Sequence, residues 1–256
     1  MTHDLPLVPG FEYSVENGIA VLTISRVEKR NALSREMWKA LPGIAKAVDT
    51  DPDVKVLIIT GAGGHFSAGS DIKDLNVPLE EFWQTNSQAE DAIANMDIPT
   101  IAAIEGNCVG GGTEIAAACD VRIAKPGSIY GVTAARLGLV YPPGPTKRLA
   151  EILGTSWARY ILLSAEIVDF DQMNQLGFFH QVSEDPLATA KERAEVIASR
   201  SALSQTGAKR ILRGDMFEPQ GWVKDAYAEE IVRGQEAFFE RRSPDFAINR
   251  TDWPTD

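Results

Sequence analysis

Between residues 19 and 124, short runs of β-branched and aliphatic residues alternate with longer stretches of helical periodicity, an order that restricts the chain to an α/β core with some parallel pairing. Ile19–Ile24 (IAVLTI) reads as a strand. Residues 34–48 carry Met37, Leu41, Ile44 and Val48 at helical spacing behind Ser34, a candidate N-cap. Residues 54–60 (VKVLIIT) form a buried strand that runs into glycines. A polar and aromatic helix over 79–96 is stopped by Asp97-Ile98-Pro99. Thr100–Ile104 is the next strand, 113–119 an alanine-rich helix, and Val121–Ala124 a further strand. From 146 to 240 the pattern is helical, with 178–182 as the one expected strand. No repeat or flexible linker is visible. The expected organisation is therefore an α/β core over 1–195 and a helical C-terminal extension over 196–256, packed on the core or on another copy.

Composition matters for what it excludes. Of 256 residues, 44% are apolar and 24% charged, enough apolar side chains for a full core. A net charge of −11 opposes nonspecific binding to nucleic acid and to anionic membranes, yet leaves room for a local phosphate-binding site. Cys108 and Cys119 lie in apolar surroundings without metal-type spacing, and read as reduced thiols of an intracellular protein. The start, Met1-Thr2-His3-Asp4-Leu5-Pro6, lacks the basic-then-apolar order of a signal peptide, and no run approaches the roughly 18 apolar residues of a membrane span. The cytoplasm is the expected compartment. His3, His65 and His180 do not cluster, so no metal site is expected.

Two loops join a strand to a helix through small residues, which let main-chain N–H groups approach a ligand. The first runs Gly64-His65-Phe66-Ser67-Ala68-Gly69-Ser70-Asp71-Ile72-Lys73-Asp74, where Asp71 also reads as a plain helix cap. The second runs Glu105-Gly106-Asn107-Cys108-Val109-Gly110-Gly111-Gly112-Thr113-Glu114. Three consecutive glycines ahead of a helix are costly in backbone entropy, and an ordinary turn seldom needs them. A helix starting there offers free amides and a positive dipole end for developing negative charge. Glu114, in the first turn, reads either as a complement to that dipole or as a carboxylate held beside an oxyanion site. No dinucleotide fingerprint, phosphate-loop lysine motif or nucleophile elbow is present.

Together and in this order, the loops resemble the crotonase (enoyl-CoA hydratase/isomerase) superfamily. The carrying segments are Lys29-Arg30-Asn31-Ala32-Leu33-Ser34, Phe66-Ser67-Ala68-Gly69-Ser70-Asp71-Ile72-Lys73, Val109-Gly110-Gly111-Gly112-Thr113-Glu114 with Cys119-Asp120, Tyr130-Gly131, Arg136-Leu137-Gly138-Leu139 and Thr146-Lys147-Arg148-Leu149. The resemblance spans about 12 to 240. It implies an α/β fold of repeated ββα units in a spiral with two sheets, and C-terminal helices that assemble a homotrimer or homohexamer. It also implies an acyl-CoA thioester substrate, with coenzyme A part of the substrate and no separate cofactor. By resemblance the amides of Ser70 and Gly111 form the oxyanion hole, with Gly110 beside them. Ala68 meets the adenine, and Asp71 and Ile72 line the bend of the CoA. Lys29, Arg30 and Ala32 border the CoA, although the two cations read equally well as a solvated turn.

The chemistry coheres. A thioester enolate carries its charge on the carbonyl oxygen, and each fixed N–H donor aimed there is worth roughly 3–4 kcal/mol. A positioned carboxylate adds about 100- to 10,000-fold as acid or base, and Glu114 matches one of the family's two hydratase glutamates. The second glutamate position falls in Tyr130-Gly131-Val132-Thr133-Ala134-Ala135-Arg136, where Ala134 has no proton to move. Hydration through Glu114 alone is one reading. Another enolate reaction (double-bond isomerisation, decarboxylation or thioester hydrolysis) is the second, and non-catalytic acyl-CoA binding the third. Tyr130, Thr133 and Tyr141 are candidate hydroxyls near the missing acid, with Tyr141-Pro142-Pro143-Gly144-Pro145 shaping the acyl pocket. Phe82 and Trp83 read either as pocket walls or as plain packing.

Overall fold

Residues 5–215 and 221–253 are described by a computed structural model. His3 and the first four residues of the N-terminal reading lie outside them. Strand β1 (Phe11–Glu16) turns back on β2 (Ile19–Ile24) in antiparallel register, Phe11 opposite Ile24. Helix α1 (Arg35–Asp49) then crosses to β3 (Val56–Gly61), parallel to β2. Ser34 caps α1 as its sequence suggests, its side chain accepting from the Met37 amide at 3.3 Å. Helix α2 (Leu79–Ala94) leads to β4 (Thr100–Ile104), and β5 (Asn107–Val109) to α3 (Gly111–Ala118) and β6 (Val121–Ala124).

Beyond β6, β7 (Ile129–Gly131) precedes the short α4 (Ala134–Leu137) and the long α5 (Pro143–Ser164), which breaks at Gly154 where φ reaches +76°. Next come β8 (Val168–Asp169), α6 (Phe170–Gln175), β9 (Gln181–Val182), α7 (Pro186–Ala198), α8 (Ala202–Leu212) and α9 (Trp222–Glu240). The larger sheet has the order β1-β2-β3-β4-β6-β9, and β5-β7-β8 form a smaller one. The strand expected over 178–182 is shorter than its apolar pattern suggested. Phe178 and Phe179 instead join an aromatic cluster with Tyr130, whose ring lies 4.9 Å from that of Phe179. A further strand, β8, pairs antiparallel with β7.

Alternation along the strands divides the core. Leu57 and Ile59 face one cluster with α1, α2 and α3, while Val56, Ile58, Ile101 and Ala103 face Ala190 and Ala194 of α7. The division at 195/196 falls within the last turn of α7. Polar contacts tie the later residues to the core. Arg210 grips Asp97 at 2.6 Å and Lys209 reaches Asp120 at 2.5 Å. Buried Arg250 donates to the carbonyls of Val48, Asp49, Asp51 and Val54. Cys108 and Cys119 are buried free thiols. Among the described residues no helix is long and apolar enough to cross a membrane.

Candidate active site

The two glycine loops meet. Ser67 pairs in parallel with Cys108, its amide donating to Asn107 O at 2.8 Å and its carbonyl accepting from Val109 N at 2.9 Å. Two residues on, the backbones touch. A Cβ on Gly69 (φ +89°) would lie 2.9 Å from Gly111 N and 2.8 Å from Val109 O, so no side chain fits there. A Cβ on Gly112 would lie 2.4 Å from Ser67 O, and one on Gly111 would lie 2.5 Å from the Trp38 ring. Each glycine thus permits a close approach that any larger residue would block.

This packing fixes the direction of the Ser70 amide. Leu33 donates to Gly69 O at 2.7 Å and accepts from Asp71 N at 2.8 Å. In such a parallel bridge the residue between the two bonded neighbours turns its own N–H to the opposite side. Gly111 is the first residue of α3, and its amide belongs to the helix-end set without an intrahelical acceptor. Gly110 N is committed elsewhere, donating to Gly131 O at 2.7 Å. The Thr113 hydroxyl, 2.6 Å from Cys108 O and 3.1 Å from Gly131 O, pins the helix start to the smaller sheet. Ser70 also lines a narrow crevice of about 20 Å³ with Leu33, Trp38, Leu75, Phe82 and Asn86.

Asn31 organises the first loop. At φ +60° its side chain donates to Ala62 O at 2.8 Å and His65 O at 2.5 Å, and accepts from Arg26 N at 3.0 Å. Ser67 Oγ completes the link by donating to Asn31 O at 2.8 Å and accepting from Gly69 N at 3.0 Å. The motif contained Asn31, but its role was not legible until the loop's carbonyls were in place.

Lys29 and Arg30 sit on an exposed turn, whereas Ala32 is buried. Ala68 N donates to Arg30 O at 3.0 Å, joining that turn to the first loop. Asp71 caps a short 3-10 turn through Lys73 N and pairs with Arg26 at 3.3 Å, while Ile72 is 68% exposed. Thr133 and Ala134 open α4 just past the bonded Gly131, and Ala134 is buried. Of the three candidate hydroxyls, Tyr130 belongs to the aromatic cluster. Tyr141 is the one electrostatically linked to the carboxylates: its buried hydroxyl lies in the field of Glu90 and Glu114, which with burial holds it well above the usual phenol range. The indole of Trp83 donates to Val140 O at 2.7 Å, fastening α2 to the loop before α5. His65 and His180 accept from backbone amides through Nδ1, roles that are structural.

Glu114 is fully buried, and neither of its oxygens is bonded to a protein group among the described residues. Burial pushes its carboxyl up to about 8, against the opposing pull of the Arg148 guanidinium. Sequence reasoning missed Glu90 on α2, also fully buried with both oxygens unbonded. Its spacing from Phe82, Asn86, Ala89 and Ile93, which form the buried face of α2, was the available signal. Two such carboxyls are expensive to keep in a core, which makes them candidates for a functional role.

The enoyl-CoA hydratase/isomerase family profile matches residues 14–249. A crotonyl-CoA hydratase from Syntrophomonas wolfei is 31% identical, the match covering 90% of this chain and 95% of that one. An (E)-benzylidenesuccinyl-CoA hydratase from Thauera aromatica is 33% identical over 91% of this chain and 96% of its own. Among solved structures, an enoyl-CoA hydratase/isomerase family protein from Hyphomonas neptunium superposes with a TM-score of 0.83 at 33% identity, covering 93% of this chain and 97% of that one. With two glycine loops in contact, a helix N-terminus at one of them and a buried glutamate in its first turn, the chain belongs to the enoyl-CoA hydratase/isomerase family and has the crotonase fold.

Proposed function

We propose that the protein hydrates an enoyl-CoA thioester, the amides of Ser70 and Gly111 holding the enolate oxygen and Glu114 moving the protons. One observation supports this reading: the backbone contact at Gly69 and Gly111 brings the segment that carries Ser70 against the start of α3, whose first turn holds a buried, unbonded carboxyl. Water adds at the β-carbon while Glu114 takes its proton. Charge moves to the thioester oxygen, where two fixed donors meet it, and the enolate collapses by taking a proton at the α-carbon. Lys29, Arg30, Ala32, Ala68, Asp71 and Ile72 border the CoA portion, and Gly110, Thr133, Ala134 and Tyr141 line the acyl side. Coenzyme A belongs to the substrate and no further cofactor takes part. Exposed apolar side chains on α8 and α9, Leu212, Phe238 and Phe239 among them, supply the surface for a homotrimer or a dimer of trimers.

Alanine at position 134 favours a second reading, another enolate reaction that needs fewer proton carriers. A panel of enoyl-, hydroxyacyl- and malonyl-type CoA esters followed by mass spectrometry separates the two. The expected product is a water adduct of an enoyl ester. Glu114→Gln is expected to lower turnover at least about 100-fold with ester affinity nearly intact. Unchanged turnover would remove Glu114 from the mechanism.

A further inference from the structure

We infer that Glu90, a buried carboxyl with unbonded oxygens on the helix that packs on α3 and its Glu114, is the second proton carrier of this site, doing the work that Ala134 does not. The inference rests on the hydration reading for the use made of the proton; the placement of Glu90 rests on its burial, its unbonded oxygens and its position on α2. Asn86 lines the crevice with Ser70, and Glu90 follows it by one helical turn on the same buried face of α2. Glu90 and Glu114 lie near enough for the charge of one to act on the other, yet no hydrogen bond of 3.5 Å or less joins them.

The surrounding charges decide how many protons the pair holds. Glu90 is acted on by Glu114 of α3, Arg148 of α5 and its own neighbour Asp91, and Tyr141 lies in the field of both glutamates. The cations of α1 facing α2, Arg35 and Lys39, pair with Glu81. Arg148 is already engaged by Asp91 at 2.8 Å, so the one guanidinium whose charge acts on both glutamates is shared with a third carboxyl. Two buried glutamates beside that one shared cation do not both ionise. Burial raises both groups, and the charge of Glu114 raises Glu90 further. Glu114 therefore releases its proton at lower pH than Glu90, and the form of the pair with Glu114 ionised and Glu90 protonated is the one that reacts.

The step balances. Glu114 takes one proton from water, the water oxygen bonds to the β-carbon, and the Cα=Cβ electron pair moves onto the thioester oxygen. Glu90 gives its proton to the α-carbon as the enolate collapses. The proton on Glu114 then passes to Glu90, so the pair ends with the one proton it began with.

Glu90→Gln keeps the volume and the neutral form, and separates proton delivery from packing. Its kcat for crotonyl-CoA hydration is expected to fall at least about 100-fold with KM little changed. The alkaline limb of the kcat profile, which reports the acid, should go with it. Glu90→Asp should restore part of the rate. Above pH 9, where Glu114 has ionised, infrared spectra should still show a buried protonated-carboxyl C=O band in the wild type, lost in Glu90→Gln. Wild-type kcat in Glu90→Gln, or survival of that band, would overturn the inference. If the wild-type protein turns over no ester in the panel, the hydration reading fails on its own. The band then still decides: its loss in Glu90→Gln supports the pairing, and its retention refutes it.

Discussion

Glu114 and Arg250 are both buried charged residues, and they differ in what surrounds them. Arg250 spends its guanidinium on four backbone carbonyls, so its desolvation is compensated and its role is structural. The oxygens of Glu114 have no protein donor, which makes the residue a burden on folding. A glutamate that ionises near 4.5 when free does so at about 8 here, so across that interval the folded chain holds a proton that the unfolded chain has released. Its share of stability is complete below the lower value and is lost as pH rises through the upper one. Glu114→Gln, neutral throughout, should match the wild-type melting temperature near pH 4.5 and exceed it above pH 8 by several degrees, reflecting a few kcal/mol. Thermal unfolding followed across that range tests this; equal melting temperatures at the alkaline end would mean that the carboxylate is solvated. Stability gained by removing a functional group is the usual cost relation at active sites.

At the scale of elements, what the sequence disclosed depended on how locally each was determined. β2, β4 and β6 run over the residues read from sequence, and α1 starts behind its expected cap, because each has its own apolar period or capping residue. β5, β7 and β8 are two or three residues long and exist through their pairing with one another, which no local pattern records. α3 starts at Gly111 rather than at Thr113, two glycines earlier than propensity suggests, because Thr113 and the Gly110–Gly131 bond fasten its first turn to β7. The glycine loops were legible because consecutive glycines ahead of a helix have few structural uses. Glu90 was not, since Glu80, Glu81, Gln84 and Asp91 give α2 the look of a solvated helix, whereas in the fold α2 packs among α1, α3 and α5 and Glu90 lies on its buried face.

Across the whole molecule, the sheets and the first helices hold the site, and the later helices present an unusually apolar exterior. Phe238 and Phe239 are 79% and 80% exposed on α9, beside Leu212 at 87% on α8. These open apolar side chains are the proposed assembly surface. Sedimentation analysis is expected to find a trimer or hexamer, and Phe238→Glu with Phe239→Glu should shift it towards monomer; a wild-type monomer at micromolar concentration would refute the assembly. The central claim remains chemical, and the thioester itself reports on it. Crotonyl-CoA labelled with carbon-13 at the carbonyl can be bound to Glu114→Gln, which holds the ester without turning it over. Two amide donors at that oxygen should lower the C=O stretching frequency well below that of the ester in water. A frequency equal to that of the free ester would mean that Ser70 and Gly111 do not bind the carbonyl, and would contradict the account.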